Sequence, residues 1–292
     1  MGKVISKANR NLLLFATPLL LLYGVFFLYP LAGGFYYSFT DWNGLSAVTR
    51  FIGLDNYKDA FHDGLFLNAM KFTFSYTALY VVGVNVLGIG LAVVLNMQLR
   101  TRNALRTLFF APYVLNMVTI GFVWQFIFGR LFIGLEESTG WSLFSVSMLG
   151  DGDNVMWAVV IVKIWQSLGY FMVIYLAGLQ SVPEDLIEAA KVDGAGARVR
   201  FTRIVLPLLM PAITICVFTA LVNGLRVFEL ILTLTGGGPG TASESIALNI
   251  YREAFEKGDF GSASAKAIIL LAVIMLITLV QLKLFKSKEV SA

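Results

Sequence analysis

Cysteine, histidine and charge are all scarce in this chain. It holds one cysteine, Cys216, and one histidine, His62. A single cysteine excludes an intrachain disulfide, and a single histidine excludes a multi-histidine metal site. Cys216 lies in an apolar run and reads as inert packing; His62 reads as a solvated loop residue. Charged residues make up 14% of the chain, against about 25% in soluble domains. No Gly-Lys-Ser/Thr occurs. The glycine run Gly236-Gly237-Gly238-Pro239-Gly240 therefore lacks the lysine and hydroxyl of a phosphate loop, and the chain is not expected to hydrolyse ATP. HExxH, CxxC and GxSxG are also missing, so neither catalytic residues nor metal ligands are expected. No basic run is interleaved with aromatics, which argues against a nucleic-acid partner. Internal repeats, heptads and low-complexity segments are absent as well.

Apolar sequence fills the space. Hydrophobic residues are 58% of the chain, aromatics 14% with 24 phenylalanines, and the mean hydropathy is +0.77. An apolar span needs about 20 residues to cross the hydrocarbon. Six stretches qualify, at roughly 12–37, 70–96, 105–128, 155–179, 206–234 and 265–285. The expected fold is an all-α polytopic membrane protein in one transmembrane domain, residues 1–292. The first stretch follows Lys3, Lys7 and Arg10 but is longer than a signal-peptide core, so it is expected to stay as a helix.

Six spans leave both termini on one side. That side, with the connections near 97–104 and 181–205, carries thirteen cations against five acids, a net of +8. The opposite connections, near 38–69, 129–154 and 235–264, carry seven cations against twelve acids, a net of −5. Cation asymmetry sets orientation, so the termini and the 181–205 connection are expected in the cytoplasm. The opposite loops, with turn runs such as Asp41-Trp42-Asn43-Gly44 and Asp151-Gly152-Asp153-Asn154, suit a docking rim and are too short for an enzyme domain.

The connection at 181–207 is the one long polar insert that reads as ordered. Ser181 and Glu184 have capping-box spacing, and Pro183 suits a first turn. A short helix with Leu186, Ile187, Ala189 and Ala190 on its apolar side should follow. Asp193-Gly194-Ala195-Gly196 should stop it, and a second helical run should start near Ala197, carrying Arg198, Arg200 and Arg203. Glu188-Ala189-Ala190, then Gly194, then Ile204-Val205-Leu206-Pro207 resembles the EAA loop of permease subunits in ATP-binding-cassette importers. The run Thr235-Gly236-Gly237-Gly238-Pro239, followed by Tyr251, Ala254, Phe255, Gly258 and Phe260, resembles the carbohydrate branch, close to the maltose-type and glycerol-phosphate-type permeases. The resemblance covers most of residues 10–285, and only the EAA loop is sharply diagnostic.

The resemblance implies a type I importer permease in a bacterial-type plasma membrane. It also implies a non-identical second permease subunit, two cytoplasmic ATPase subunits that bind ATP and Mg, and an extracytoplasmic solute-binding protein. In this family the EAA helix lies in a groove of the ATPase and carries its motion. That role falls here on Glu184, Glu188, Ala189, Ala190, Asp193, Gly194, Ile204, Leu206 and Pro207.

Three ionisable residues interrupt apolar spans: Lys163, Arg226 and Glu229. Charges at membrane depth are costly and usually face a bundle interior or a watery cavity. Arg226 and Glu229, three apart, should share a helix face and pair, with Asn223 continuing that face. Lys163, Gln166 and Tyr170 share a face of the fourth span. A buried pairing network and a polar stripe along a translocation path both fit this pattern. Resemblance to maltose-type permeases places Lys163, Gln166, Ser167 and Tyr170 on the solute-facing side before the EAA loop, and Ala220 and Gly224 after it. Lys163 departs from the uncharged polar residue of maltose-type subunits, which leaves room for an anionic or differently shaped substrate. Trp157, Trp165, Tyr170 and Phe228 suit sugar stacking or, more commonly, packing. Gly33-Gly34 and Gly83, Gly88 and Gly90 suit close helix contacts.

The reading is an ATP-driven, binding-protein-dependent importer of a sugar, oligosaccharide or related polyol, working by alternating access as a transport subunit and not as an enzyme. A self-sufficient secondary transporter or channel and a non-transporting membrane scaffold are the alternatives.

Overall fold

The computed structural model describes residues 7–46, 48–97, 99–141 and 147–286, with side chains from Phe15 onward. In chain order the helices are α1 (Lys7–Tyr23), α2 (Tyr29–Tyr37), α3 (Asp55–His62), α4 (Gly64–Asn96), α5 (Arg102–Val114), α6 (Met117–Phe126), α7 (Phe132–Thr139) and α8 (Val155–Gln180). They continue as α9 (Glu184–Val192), α10 (Ala197–Arg200), α11 (Leu206–Leu208), α12 (Met210–Leu225), α13 (Glu229–Leu234), α14 (Ile246–Tyr251) and α15 (Phe260–Lys286). π-helical turns at Gly24–Leu28 and Ile127–Leu131 join α1 to α2 and α6 to α7 into longer rods.

Five of these rods are long and apolar enough to cross a membrane: Phe15–Tyr37, Gly64–Asn96, Met117–Thr139, Val155–Gln180 and Phe260–Lys286. A sixth is a bent pair, Ala197–Leu208 with Met210–Leu225, turned by 68°. Two expectations change here. The third span is not continuous over 105–128. Leu115 is extended, and Asn116 starts a new helix by accepting the Val118 N–H with its side chain at 2.8 Å. The spanning rod therefore runs onward to Thr139, into residues read as a loop. The 206–234 span is also divided. It bends at Leu209 and breaks again at Arg226–Phe228, where Phe228 adopts φ −137° and ψ −65°.

The chain divides into two compact units. One comprises residues 64–249 with 271–292. Its core is formed by α4, α8 and α12, through Tyr76, Tyr80, Phe171, Met172, Tyr175, Leu209 and Cys216, which is fully buried. Apolar burial alone drives little association in lipid, because acyl chains are as apolar as leucine; close approach and interhelical hydrogen bonds must contribute. Both are present. Gly88 lies under Phe171 and Tyr175, and a Cβ on Gly169 would collide with the backbone of Phe109 and Phe110. The Tyr175 hydroxyl donates to Asn85 Oδ1, and the Tyr80 hydroxyl to Ser167 Oγ at 3.0 Å. Gly83 meets Ile164 as a helix contact would require, whereas Gly33, Gly34 and Gly90 make no such close approach.

The other unit comprises residues 1–63 with 250–270. The first rod, Phe15–Tyr37, buries none of its apolar window. Hydrogen bonds and ring stacking tie down described residues of the 38–63 connection. Asn56 Nδ2 donates to the Ser38 and Thr40 carbonyls, the Gly261 N–H donates to the Trp42 carbonyl, and Trp42 stacks on Tyr37 at 4.0 Å. Lys266, its side chain 2% exposed, reaches Asp63 at 2.8 Å and Glu253 at 2.6 Å. Such a triad costs desolvation on all three charges, so it specifies geometry more than it adds net stability. His62 is exposed at the end of α3, and its Nδ1 meets the Lys58 carbonyl.

Candidate functional site

Two regions of the 64–249 unit carry the residues singled out by sequence. The first is the elbow between α8 and α12. Glu184 and Asp185 lie in the first turn of α9 and Lys191 in its last, each placed favourably for the helix dipole. The capping box does not form. Pro183 is the N-cap residue with no side-chain cap, and the Ser181 hydroxyl donates instead to the Gly178 carbonyl at 2.8 Å. The preceding helix α8 ends one residue before Ser181, so its hydroxyl finds a carbonyl of the last helical turn there first, one it shares with the Ser181 N–H.

The stop at the other end of α9 is a Schellman turn. The Ala195 N–H bonds the Ala190 carbonyl at 2.9 Å and the Gly194 N–H bonds the Lys191 carbonyl at 3.1 Å. Gly194 has φ +77°, the left-handed conformation that penalises any Cβ, and no atom lies near where that Cβ would be. Arg200 Nη1 closes the second arm onto the Ala195 carbonyl at 2.5 Å. Ala190 is buried and Ile187 half-buried, while Glu184, Glu188, Asp193 and Gly194 are exposed. Leu186, Ala189 and Val192 are also exposed, Val192 to 87%, and form a short apolar strip facing outward. Ile204, Leu206 and Pro207 are half-buried on the return arm.

The second region is a cavity of about 230 Å3 lined by Met117, Lys163, Asn223, Arg226, Val227, Glu229 and Leu230. It forms where α12 stops and α13 has not begun. Irregular backbone at membrane depth is tolerated where it lines a cavity or is held by protein, and both hold here. Ser245 Oγ donates to the Val227 carbonyl at 2.8 Å, replacing a helical partner. The break also corrects the expected Arg226–Glu229 pair. The two residues are not on one helical face, and no ion pair joins them among the described residues. Both are exposed toward the cavity, as is Asn223.

Lys163 lines the cavity, donates to Gln166 Oε1 at 3.3 Å and lies 6.0 Å from the Tyr80 ring centroid. Gln166 and Ser167 are buried behind it, and Ser167 Oγ donates to the Lys163 carbonyl at 2.7 Å. Tyr170 stacks on Tyr113 at 4.7 Å. Ala220 is fully buried, and Gly224 abuts Thr77, where a Cβ would approach to 2.7 Å. Neither is among the residues that line the cavity; Gly224 packs against Thr77 of α4 and Ala220 lies in the core. Sequence reasoning passed over Met117, Val227 and Leu230. The signal for Met117 was Asn116, a capping residue inside an apolar run.

Comparison with known proteins follows the same lines. Residues 84–288 match the family described as binding-protein-dependent transport system inner membrane component. The chain is 39% identical over 279 residues to the probable starch degradation products transport system permease protein AmyD of Thermoanaerobacterium thermosulfurigenes, covering 95% of this chain and 94% of that protein. It is 37% identical over 271 residues to the multiple sugar-binding transport system permease protein MsmF of Streptococcus mutans, covering 93% of each. A chain of a bacterial alginate ABC transporter, solved in complex with an alginate pentasaccharide-bound periplasmic protein, is 25% identical and superposes with a TM-score of 0.79 over 96% of each chain. These relationships do not favour a self-sufficient transporter or a scaffold. With its membrane-spanning rods and polar cavity, the chain belongs to the binding-protein-dependent transport system inner membrane components, as a multi-pass permease subunit of an ABC importer and not an enzyme.

Proposed function

We propose that this permease subunit passes a sugar or oligosaccharide across the membrane by alternating access. The observation that carries the proposal is the polar cavity at a helix break, where Lys163, Asn223, Arg226 and Glu229 offer hydrogen-bonding groups to a hydroxyl-rich solute. The names of the relatives point the same way: starch degradation products, multiple sugars and an alginate pentasaccharide. Two cations in the lining, Lys163 and Arg226, leave an acidic saccharide within reach.

The elbow supplies the coupling. Its exposed strip Leu186, Ala189 and Val192 offers a short apolar contact surface to a partner. Glu184, Glu188, Ala190, Asp193 and Gly194 build the element that seats in a cytoplasmic ATPase, and Ile204, Leu206 and Pro207 transmit its motion into α12. ATP and Mg reside on two such ATPase subunits. A non-identical second permease subunit completes the path, and a solute-binding protein delivers the cargo. A ligand shifts such an equilibrium only by its differential affinity for the two states; ATP and the docked binding protein provide that difference.

The test is uptake into proteoliposomes holding the assembled importer, with ATP inside and binding protein plus labelled oligosaccharide outside. Accumulation is expected only with both. Uptake that persists without the ATPase subunits would overturn this assignment in favour of a secondary transporter.

A further inference from the structure

The connection between α4 and α5 concentrates positive charge that the described protein does not neutralise. Arg100, Arg102 and Arg106 fall within seven residues, and no carboxylate pairs with any of them among the described residues. No acid stands in the first turn of α5. Cations there oppose the helix dipole, so helix stability does not explain them. The Arg106 guanidinium has one long hydrogen bond, Nη2 to the Leu95 carbonyl at 3.4 Å, and its Nε is buried without a partner.

The same helix continues into a groove of opposite character. Leu108, Phe109, Ala111, Pro112 and Leu115, with Trp165 and Leu168 of α8, line an almost wholly apolar groove of about 500 Å3. Arg102, Arg106 and Phe109 stand at i, i+4 and i+7, so the basic face runs directly into it. From Arg102 to Pro112 is about 15 Å along the helix, the depth of one hydrocarbon leaflet, about 15 Å. Leu108 and Leu115 are 66% and 52% exposed, so the groove is open along its length.

We propose that this is a binding site for one anionic phospholipid, its phosphate held by Arg102 and Arg106 with Arg100 nearby, and an acyl chain laid in the α5–α8 groove. Either half alone is unremarkable in a membrane protein. Their continuity on one helix, at the separation a lipid headgroup and chain require, selects an amphiphile over a free anion or a purely apolar partner. The site is separate from the polar cavity and does not depend on which solute is transported.

Native mass spectrometry of the detergent-purified importer complex tests this after exposure to equal amounts of palmitoyl-oleoyl phosphatidylglycerol and phosphatidylcholine. The wild type should retain phosphatidylglycerol preferentially. Arg102→Gln with Arg106→Gln should lower that retention about fivefold per arginine removed. Leu108→Trp with Ala111→Trp should displace the lipid while leaving the arginines in place. Both variants lie on exposed or half-buried positions, and co-purification of partner subunits monitors assembly. Three results would each overturn the site: equal retention of the two lipids; loss in the arginine variant with none in the groove-filled variant, which indicates diffuse surface attraction; or cross-linking of Ala111→Cys to the second permease subunit in place of lipid.

Discussion

The hydrogen bonds that turn the elbow at 184–207 are local, among them Ala195 to Ala190, Gly194 to Lys191, and Arg200 to Ala195. The cavity draws its lining from Met117 of α6, Lys163 of α8 and the break after α12, a set that spans more than a hundred positions of the chain. The elbow is exposed and keeps its shape by backbone turn chemistry. The cavity exists because separate helices meet around an interrupted one. A local motif survives changes elsewhere in the chain, whereas a cavity is sensitive to any helix that frames it. Substitutions in each region should therefore separate transport from stability in different ways.

The largest effect is expected at Gly194. Gly194→Asp places a Cβ on a residue with φ +77°, at a cost of about 1–2 kcal/mol in the left-handed region. Space is open around it, so the turn and not the core absorbs the cost. Transport and ATPase association should fall nearly to background while membrane abundance stays close to wild type. Normal association in that variant would remove the elbow from the coupling role.

An intermediate effect is expected from the cavity. Lys163→Ala removes one of the two cavity cations and the partner of buried Gln166. A charge-assisted hydrogen bond is worth about 1.5–3 kcal/mol, so the uptake rate or solute preference should change by about tenfold or more. Quantitative blotting beside uptake decides the cause. Equal losses of abundance and transport would make Lys163 a structural residue.

Ser181→Ala should do least. A working capping box would cost about 1 kcal/mol on its removal. Here the hydroxyl bonds only the Gly178 carbonyl, so the change should stay within about 0.5 kcal/mol in thermal unfolding. A larger loss would show that the capping interaction forms in the assembled complex.

Spans with uninterrupted hydropathy were legible from residue types: α8 runs Val155–Gln180 where 155–179 was expected, and α15 contains 265–285. The third span was misplaced because hydropathy counts Asn116 as one weak position, although its side chain starts a helix. The fifth was read as continuous although Pro207 and Pro211 flank the 68° bend. Arg226 and Glu229 stand out in the sequence as charges in an apolar span, but their expected pairing assumes a helix that stops between them. Ala220 and Gly224 are buried, and Gly224 packs against Thr77; small residues at helical spacing serve equally well as contacts or as lining, so residue type alone does not separate the two.

By itself the sequence determined an all-helical membrane chain and a glycine-hinged elbow, because hydropathy over twenty residues and a left-handed turn are properties of neighbouring positions. Only the tertiary structure decided where the helices break, which polar side chains share a cavity, and which basic residues continue into an apolar groove. Those depend on which distant segments come within a few ångströms of one another, and nothing in the spacing of residues along one chain encodes that distance directly.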